Sequence, residues 1–146
     1  MTAFALTEEQ QAFADEIRVI AASQLRPLAE AGRPGHVNRE LVKAMGQLGL
    51  LPRLFPGPGG PGGRGAPPSG GSPGGGPPGG KQSTATDLCL LRESLATQST
   101  EAETALALQG LGAYPILQSG LPETVRRWLP AVACGDAVAA FALTEP

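Results

Sequence analysis

Few side chains in this sequence have both the type and the placement for chemistry. The most pointed arrangement is a repeated pentapeptide. Phe4-Ala5-Leu6-Thr7-Glu8 recurs letter for letter as Phe141-Ala142-Leu143-Thr144-Glu145, with dissimilar flanks that exclude a true internal repeat. The residues after each copy separate the two. Glu9-Gln10 lets the first copy open a helix, with Thr7 as its cap and Gln10 completing a capping box. Pro146 disfavours helical geometry at Glu145, so the second copy is predicted extended, with the Thr144 hydroxyl left to meet a ligand.

The other reactive types offer less. His36, the only histidine, stands in a Gly-Pro-Gly-His context, which excludes a multi-histidine metal site and marks a loop position rather than a catalytic base. No metal site is expected. Cys89 and Cys134 lack CxxC spacing and are too few for a disulfide framework. Cys89, among Leu88, Leu90 and Leu91, is predicted to be a buried thiol, and Cys134 to lie in a loop beside Gly135. Arg126-Arg127 is the longest basic run in a chain of net charge −2, a balance that gives no reason to expect nucleic acid or an acidic membrane surface as partner. No apolar run reaches the roughly 18 residues of a membrane span. The amino terminus lacks the basic and apolar regions of a signal peptide. A reducing, cytoplasmic setting is the resulting expectation.

The elements that must hold these residues are helical. Phe13, Ile17, Ile20 and Ala21 give the first helix one apolar stripe, with Pro27 kinking or ending it and the 32–35 segment closing it. Asn38 caps a second helix whose buried face is Leu41, Val42, Met45 and Leu48 and whose end is Gly49. From Pro56 to Gly80 the chain is Gly and Pro apart from Arg64, Ala66, Ser69 and Ser72. Nothing there can be buried to offset the entropy of ordering, so a flexible linker or disordered loop is expected. A local reading-frame change in a GC-rich gene would give the same composition.

Helical pattern then resumes. Thr84 to Asp87 caps a helix carrying Leu88, Leu91 and Leu95. A further helix, opened by a box from Thr100 to Glu103, carries Ala105, Leu108 and Leu111 and is expected to end near Gly110 or Gly112. Pro115 to Leu117 begins another turn closed by Gly120. Pro122 suits the first turn of a helix with Val125, Trp128 and Leu129, where Trp128 is a core or interface anchor. After Gly135-Asp136, the stretch Ala137 to Leu143 suits either a helix or a short strand by propensity.

In order and spacing, these pieces resemble the acyl-CoA dehydrogenase family across nearly the whole chain except 56–80. Leu6 to Gln10 resembles the family's helix start, and Met45-Gly46-Gln47-Leu48-Gly49-Leu50 its second-helix ending. Leu111-Gly112-Ala113-Tyr114-Pro115-Ile116, then Trp128-Leu129-Pro130 and Gly135-Asp136, resemble its approach to the flavin strand. The most specific piece is Ala140 to Pro146, where Thr-Glu-Pro follows an apolar stretch. The chain departs from the family after Leu54-Phe55, where a short loop is expected and the Gly/Pro tract stands instead.

The resemblance implies an all-α amino-terminal bundle of roughly five to six helices, carrying one terminal β-strand from a middle β domain at which the chain is truncated. The implied divisions are 1–55 and 81–135 for the two parts of the helical domain, 56–80 for the disordered loop, and 136–146 for the first strand of the flavin-binding domain. It implies FAD as cofactor, with Phe141, Ala142, Leu143 and Thr144 along the isoalloxazine ring, and Thr144 near the ring's polar edge. Thr104, Ala107 and Leu111 would line the acyl pocket, though core packing is an equal reading of the same residues. The implied activity is α,β-dehydrogenation of acyl thioesters in fatty acid metabolism, a CH–CH oxidoreductase reaction with acyl-CoA as substrate. An electron-transfer flavoprotein-type acceptor and a homo-oligomer of the full-length enzyme are the implied partners. The family's catalytic Glu belongs to a carboxy-terminal bundle, so no catalytic residue is expected here, Glu145 included, and the chain alone is expected to be inactive. A non-catalytic, degenerate helical interaction module is the competing reading.

Overall fold

The structure is a computed structural model that describes residues 5–55, 84–142 and 144. The Gly/Pro tract and Leu143 therefore lie outside the described residues. Among the described residues six α-helices make the bundle: α1 (Glu8–Ile20), α2 (Arg26–Glu30), α3 (Arg39–Gln47), α4 (Ala85–Ala96), α5 (Thr100–Ser119) and α6 (Pro122–Ala133). The all-α expectation holds.

The first helix starts as its letters require. The Thr7 hydroxyl accepts from the Gln10 amide at 3.2 Å, and the Gln10 side chain accepts from the Thr7 amide at 2.9 Å. Pro27 then forces a change of pitch rather than a break. Lacking an N–H, it cannot bond to the carbonyl four residues back. A π-helical stretch, Ala21–Leu25, accommodates this, and the Arg26 N–H reaches the Ala21 carbonyl before α2 continues. Asn38 joins α2 to α3: its Oδ1 accepts from the Leu41 amide at 3.0 Å while its Nδ2 donates to the Leu28 carbonyl at 2.8 Å. Gly49, at φ +71°, closes α3, and the Leu50 N–H bonds back to the Met45 carbonyl at 3.0 Å. A 3-10 turn, Leu51–Leu54, comes next.

The core forms where α1, α3, α4 and α5 present their apolar faces. Ile17, Leu25, Leu41, Met45, Leu50, Leu51, Leu91, Leu95 and Leu106 are fully buried in one cluster. A smaller cluster of Ala113, Leu129 and Val132 joins α6 to α5, with Ala137 and Ala139 packed against it. Arg92 on α4 donates to Glu103 on α5 through Nε at 2.7 Å.

Several expectations fail. Helix α5 opens one residue earlier than its letters suggest, with Ser99 rather than Thr100 capping the Ala102 amide at 3.2 Å. It also runs through Gly110, Gly112 and Pro115 to Ser119 instead of ending near the glycines. Its inner face is Ala102, Leu106, Gln109 and Ala113, so Leu108 and Leu111 point outward. Cys89 is exposed, on the side of α4 opposite Leu91 and Leu95. Trp128 is 41% exposed, which overturns a core role but not an interface one, with the Arg127 guanidinium 4.8 Å from its ring centroid. Finally, no strand forms over 137–142 among the described residues. An isolated strand needs a ladder partner to satisfy its backbone, and the described residues provide none.

Candidate functional site

The site begins where the chain leaves the bundle. After α6, the Cys134-Gly135 turn presses on α3 so closely that two glycines are required. A Cβ on Gly46 would stand 2.2 Å from the Cys134 carbonyl oxygen, and one on Gly135 would stand 2.5 Å from that of Val42. Gly135 also has φ +76°, a conformation that disfavours other residues. The Asp136 and Ala137 amides both donate to the Ala131 carbonyl, turning the chain back along α6.

From there the exit segment crosses α5. Gly112 provides the crossing point, since a Cβ there would meet Ala139 and Ala140 at 3.0 Å. Gln109, only 3% exposed, holds the segment: its Oε1 accepts from the Ala139 amide at 2.9 Å, and its Nε2 donates to the Ala139 carbonyl at 3.4 Å. A shallow pocket lies alongside, lined by Gly112, Ile116, Trp128, Val132 and the 137–140 segment. Gln109 is absent from the sequence expectations because a polar residue on a helix reads as solvent-facing. The signal was its place in the spacing 102, 106, 109, 113, which is one helix face.

Past Ala139 the described residues are open to solvent. Phe141 is 46% exposed, and Ala142 and Thr144 are exposed. None of the three is wound into a helix. The second pentapeptide thus behaves unlike the first, whose Thr7 is committed to its cap.

The residues matched to the acyl pocket sit on α5 as well. Thr104 and Leu111 are exposed and Ala107 is half-buried, all on the outward face, and Leu108 and Tyr114 extend it at 48% and 51% exposure. Core packing is therefore not what Thr104 and Leu111 do. Gly112 lies about 100° around the helix from Leu111, so the exit segment runs along the flank of this face. Helix α5 thus carries Thr104, Ala107 and Leu111 and also holds Ala139, two residues ahead of Phe141.

The chemistry available is binding and orientation. Among the described residues no group of histidines, cysteines or carboxylates could hold a metal ion. No described helix is long and apolar enough to cross a membrane. His36 is exposed in the loop before α3.

Known proteins bear on this arrangement directly. Residues 7–67 match the family model for the acyl-CoA dehydrogenase N-terminal domain. Cyclohexane-1-carbonyl-CoA dehydrogenase from Geobacter metallireducens is 27% identical over 98% of this chain and 33% of its own length. The probable acyl-CoA dehydrogenase YngJ of Bacillus subtilis is 30% identical, again over 98% of this chain and 33% of its own. The chain spans about a third of the length of these curated relatives. The two relatives' matches run through the capped helices, the α5 crossing and the exit segment, while the family model ends at residue 67, and what the chain is similar to throughout is the amino-terminal part of acyl-CoA dehydrogenases.

Proposed function

We propose that this chain is the amino-terminal helical part of a flavin-dependent acyl-CoA dehydrogenase, acting with further domains on acyl thioesters and not by itself. The observation that carries the reading is the exit segment. It leaves the bundle unwound and held by its backbone, with Phe141 and Thr144 exposed beyond the last fixed residue.

These residues suit FAD in their chemistry. A flavin ring needs an apolar surface to lie against and neutral hydrogen-bonding groups at its polar edge. Phe141, Ala142, Leu143 and Thr144 supply an aromatic ring, small or branched apolar groups and a hydroxyl, with no charge among them. The flavin would supply acceptance of the hydride from the acyl β carbon. The contribution of this chain is to orient and to exclude water. Thr144 offers a neutral donor, and Phe141 and Leu143 offer packing. Thr104, Ala107 and Leu111 form one wall for the acyl group, where a methylene gains about 0.8 kcal/mol on leaving water. No residue here takes the α proton, which is why activity is assigned only to a longer assembly. The acyl group, a flavoprotein-type electron acceptor, homo-oligomerisation and a cytoplasmic setting belong to the same reading.

The test uses the protein as its source makes it, at its native length. It should carry flavin absorbance when purified and bleach on anaerobic addition of an acyl-CoA. A native protein that holds no flavin, and forms a specific complex with an unrelated protein, would replace this reading with that of a helical interaction module.

A further inference from the structure

We propose that Gln109 is the positioning residue for the exit segment, fixing the hydrogen-bonding phase of its backbone as a neighbouring strand would. The proposal rests on the flavin reading for its purpose but not for its geometry.

A single side-chain amide engages both the N–H and the C=O of Ala139. That two-way exchange is how one residue pairs with its opposite in an antiparallel ladder. It occurs on a helix, from a nearly buried position, where an unpaired primary amide would be costly. Gln109 therefore favours Ala139 at that site as much as Ala139 needs Gln109. Gly112, three residues on, leaves the room for the backbone to lie that close.

The consequence is directional. In extended backbone, the polar groups of successive residues face opposite sides, and a slip of one residue reverses them all. With Ala139 turned onto α5, extended continuation turns the backbone groups of Ala140, Ala142 and Thr144 away from the helical domain. Those are the amides and carbonyls offered to whatever lies outside it, a sheet neighbour or the polar edge of a flavin. The repeated pentapeptide lacks this device at its first copy, where the backbone enters a helix instead.

Amide exchange in the isotopically labelled 146-residue chain tests this residue by residue. The Ala139 amide should be protected although its neighbours Ala140 and Phe141 are exposed. Gln109→Met keeps the length and removes both bonds, and should quicken exchange at Ala139 roughly 25-fold, each bond contributing about a fivefold factor. Amides at Leu106 and Ala113 in α5 should not change. Trp128, the only tryptophan, lines the same pocket as Ala139, and its emission should shift with the loss. Gln109→Glu, measured at a pH low enough to keep the carboxyl protonated, retains an acceptor for the Ala139 amide and a donor for its carbonyl and should keep most of the protection. Equal acceleration in the Met and Glu variants would overturn the proposal, and so would an unprotected Ala139 in the unmodified chain. The latter needs no variant to fold. Protection at Ala139, together with a native-length protein that takes up no flavin, would uphold the positioning role and overturn the flavin reading instead.

Discussion

Glycine to alanine is usually a mild change in a helix, and two helical glycines of this bundle should respond to it with opposite signs. Gly46 lies in α3 under the turn that succeeds α6. A Cβ there would be 2.2 Å from the Cys134 oxygen, 2.3 Å from its carbonyl carbon and 2.8 Å from the Gly135 nitrogen. All three are backbone atoms, so no side chain can swing aside. The turn or the helix must retreat by about 1 Å, and overpacking of this kind costs about 1–3 kcal/mol. Retreat is resisted, because Gly135 is itself wedged against the Val42 carbonyl on the same helix. Alanine's better helix propensity returns at most about 1 kcal/mol. Gly46→Ala should therefore destabilise by about 1–2 kcal/mol. Gly110 lies in α5, and its Cβ would meet only the Leu54 methyls, at 3.6 and 3.7 Å. That is ordinary contact, so Gly110→Ala should stabilise by about 0.5–1 kcal/mol through the unfolded state and helix propensity. Urea unfolding followed by far-ultraviolet circular dichroism would measure both against the unmodified chain. A separation of about 1.5–3 kcal/mol corresponds to several degrees in Tm for a chain of this size. If Gly46→Ala proves neutral or stabilising, the docking of the Cys134-Gly135 turn on α3 is wrong, and with it the path of the exit segment.

Three further outcomes concern single side chains. The Ser94 hydroxyl is buried with no hydrogen-bond partner among the described residues, so Ser94→Ala should be neutral or stabilising by up to about 1 kcal/mol in the same urea assay; a loss above about 2 kcal/mol would reveal a partner. Cys89 and Cys134 are both exposed, so the folded chain should give two equivalents with a thiol reagent before any unfolding, and a single fast equivalent would return Cys89 to the interior. Thr84 and Asp87 form a reciprocal cap at 3.1 and 2.8 Å. Thr84→Ala should cost about 1 kcal/mol, and an unchanged unfolding midpoint would mean that α4 is set by packing alone.

The features legible in the letters are short in range. The caps at Thr7, Asn38 and Thr84 join residues three apart, so the sequence window contains both partners. The end of α3 at Gly49 is equally local. Helix α5 defeats the same reasoning because its breakers act locally while its stability does not. Pro115 withdraws one donor from the Leu111 carbonyl, but residues 111 and 115 are exposed, so water can satisfy what the proline cannot. Leu106 and Ala113 are meanwhile fully buried on the other side, and that packing carries the helix through. Gln109 is invisible to sequence reasoning for a related reason: its partner lies 30 residues away. The missing strand is the complementary case. Propensity over 137–143 leaves helix and strand open, and no described neighbour in this bundle offers a ladder to decide for the strand.

The two copies of Phe-Ala-Leu-Thr-Glu show how little the letters themselves determine. At the first copy, Gln10 answers the Thr7 hydroxyl and the backbone turns into α1. At the second, Pro146 stands where Glu9 stands in the first, and a fixed point lies upstream, at Ala139 on Gln109. One threonine is spent on a local bond. The other stays exposed, on backbone whose direction is set from α5 by an amide and a glycine gap. A binding role for Thr144 therefore depends on residues that share no motif with it. Gly112→Ala makes the point separable: the added methyl, 3.0 Å from Ala139 and Ala140, should lift the exit segment and quicken Ala139 exchange while leaving both threonines and the rest of α5 as they were. Unchanged exchange at Ala139 in that variant would mean that the segment approaches α5 less closely than its contacts with Gly112 require.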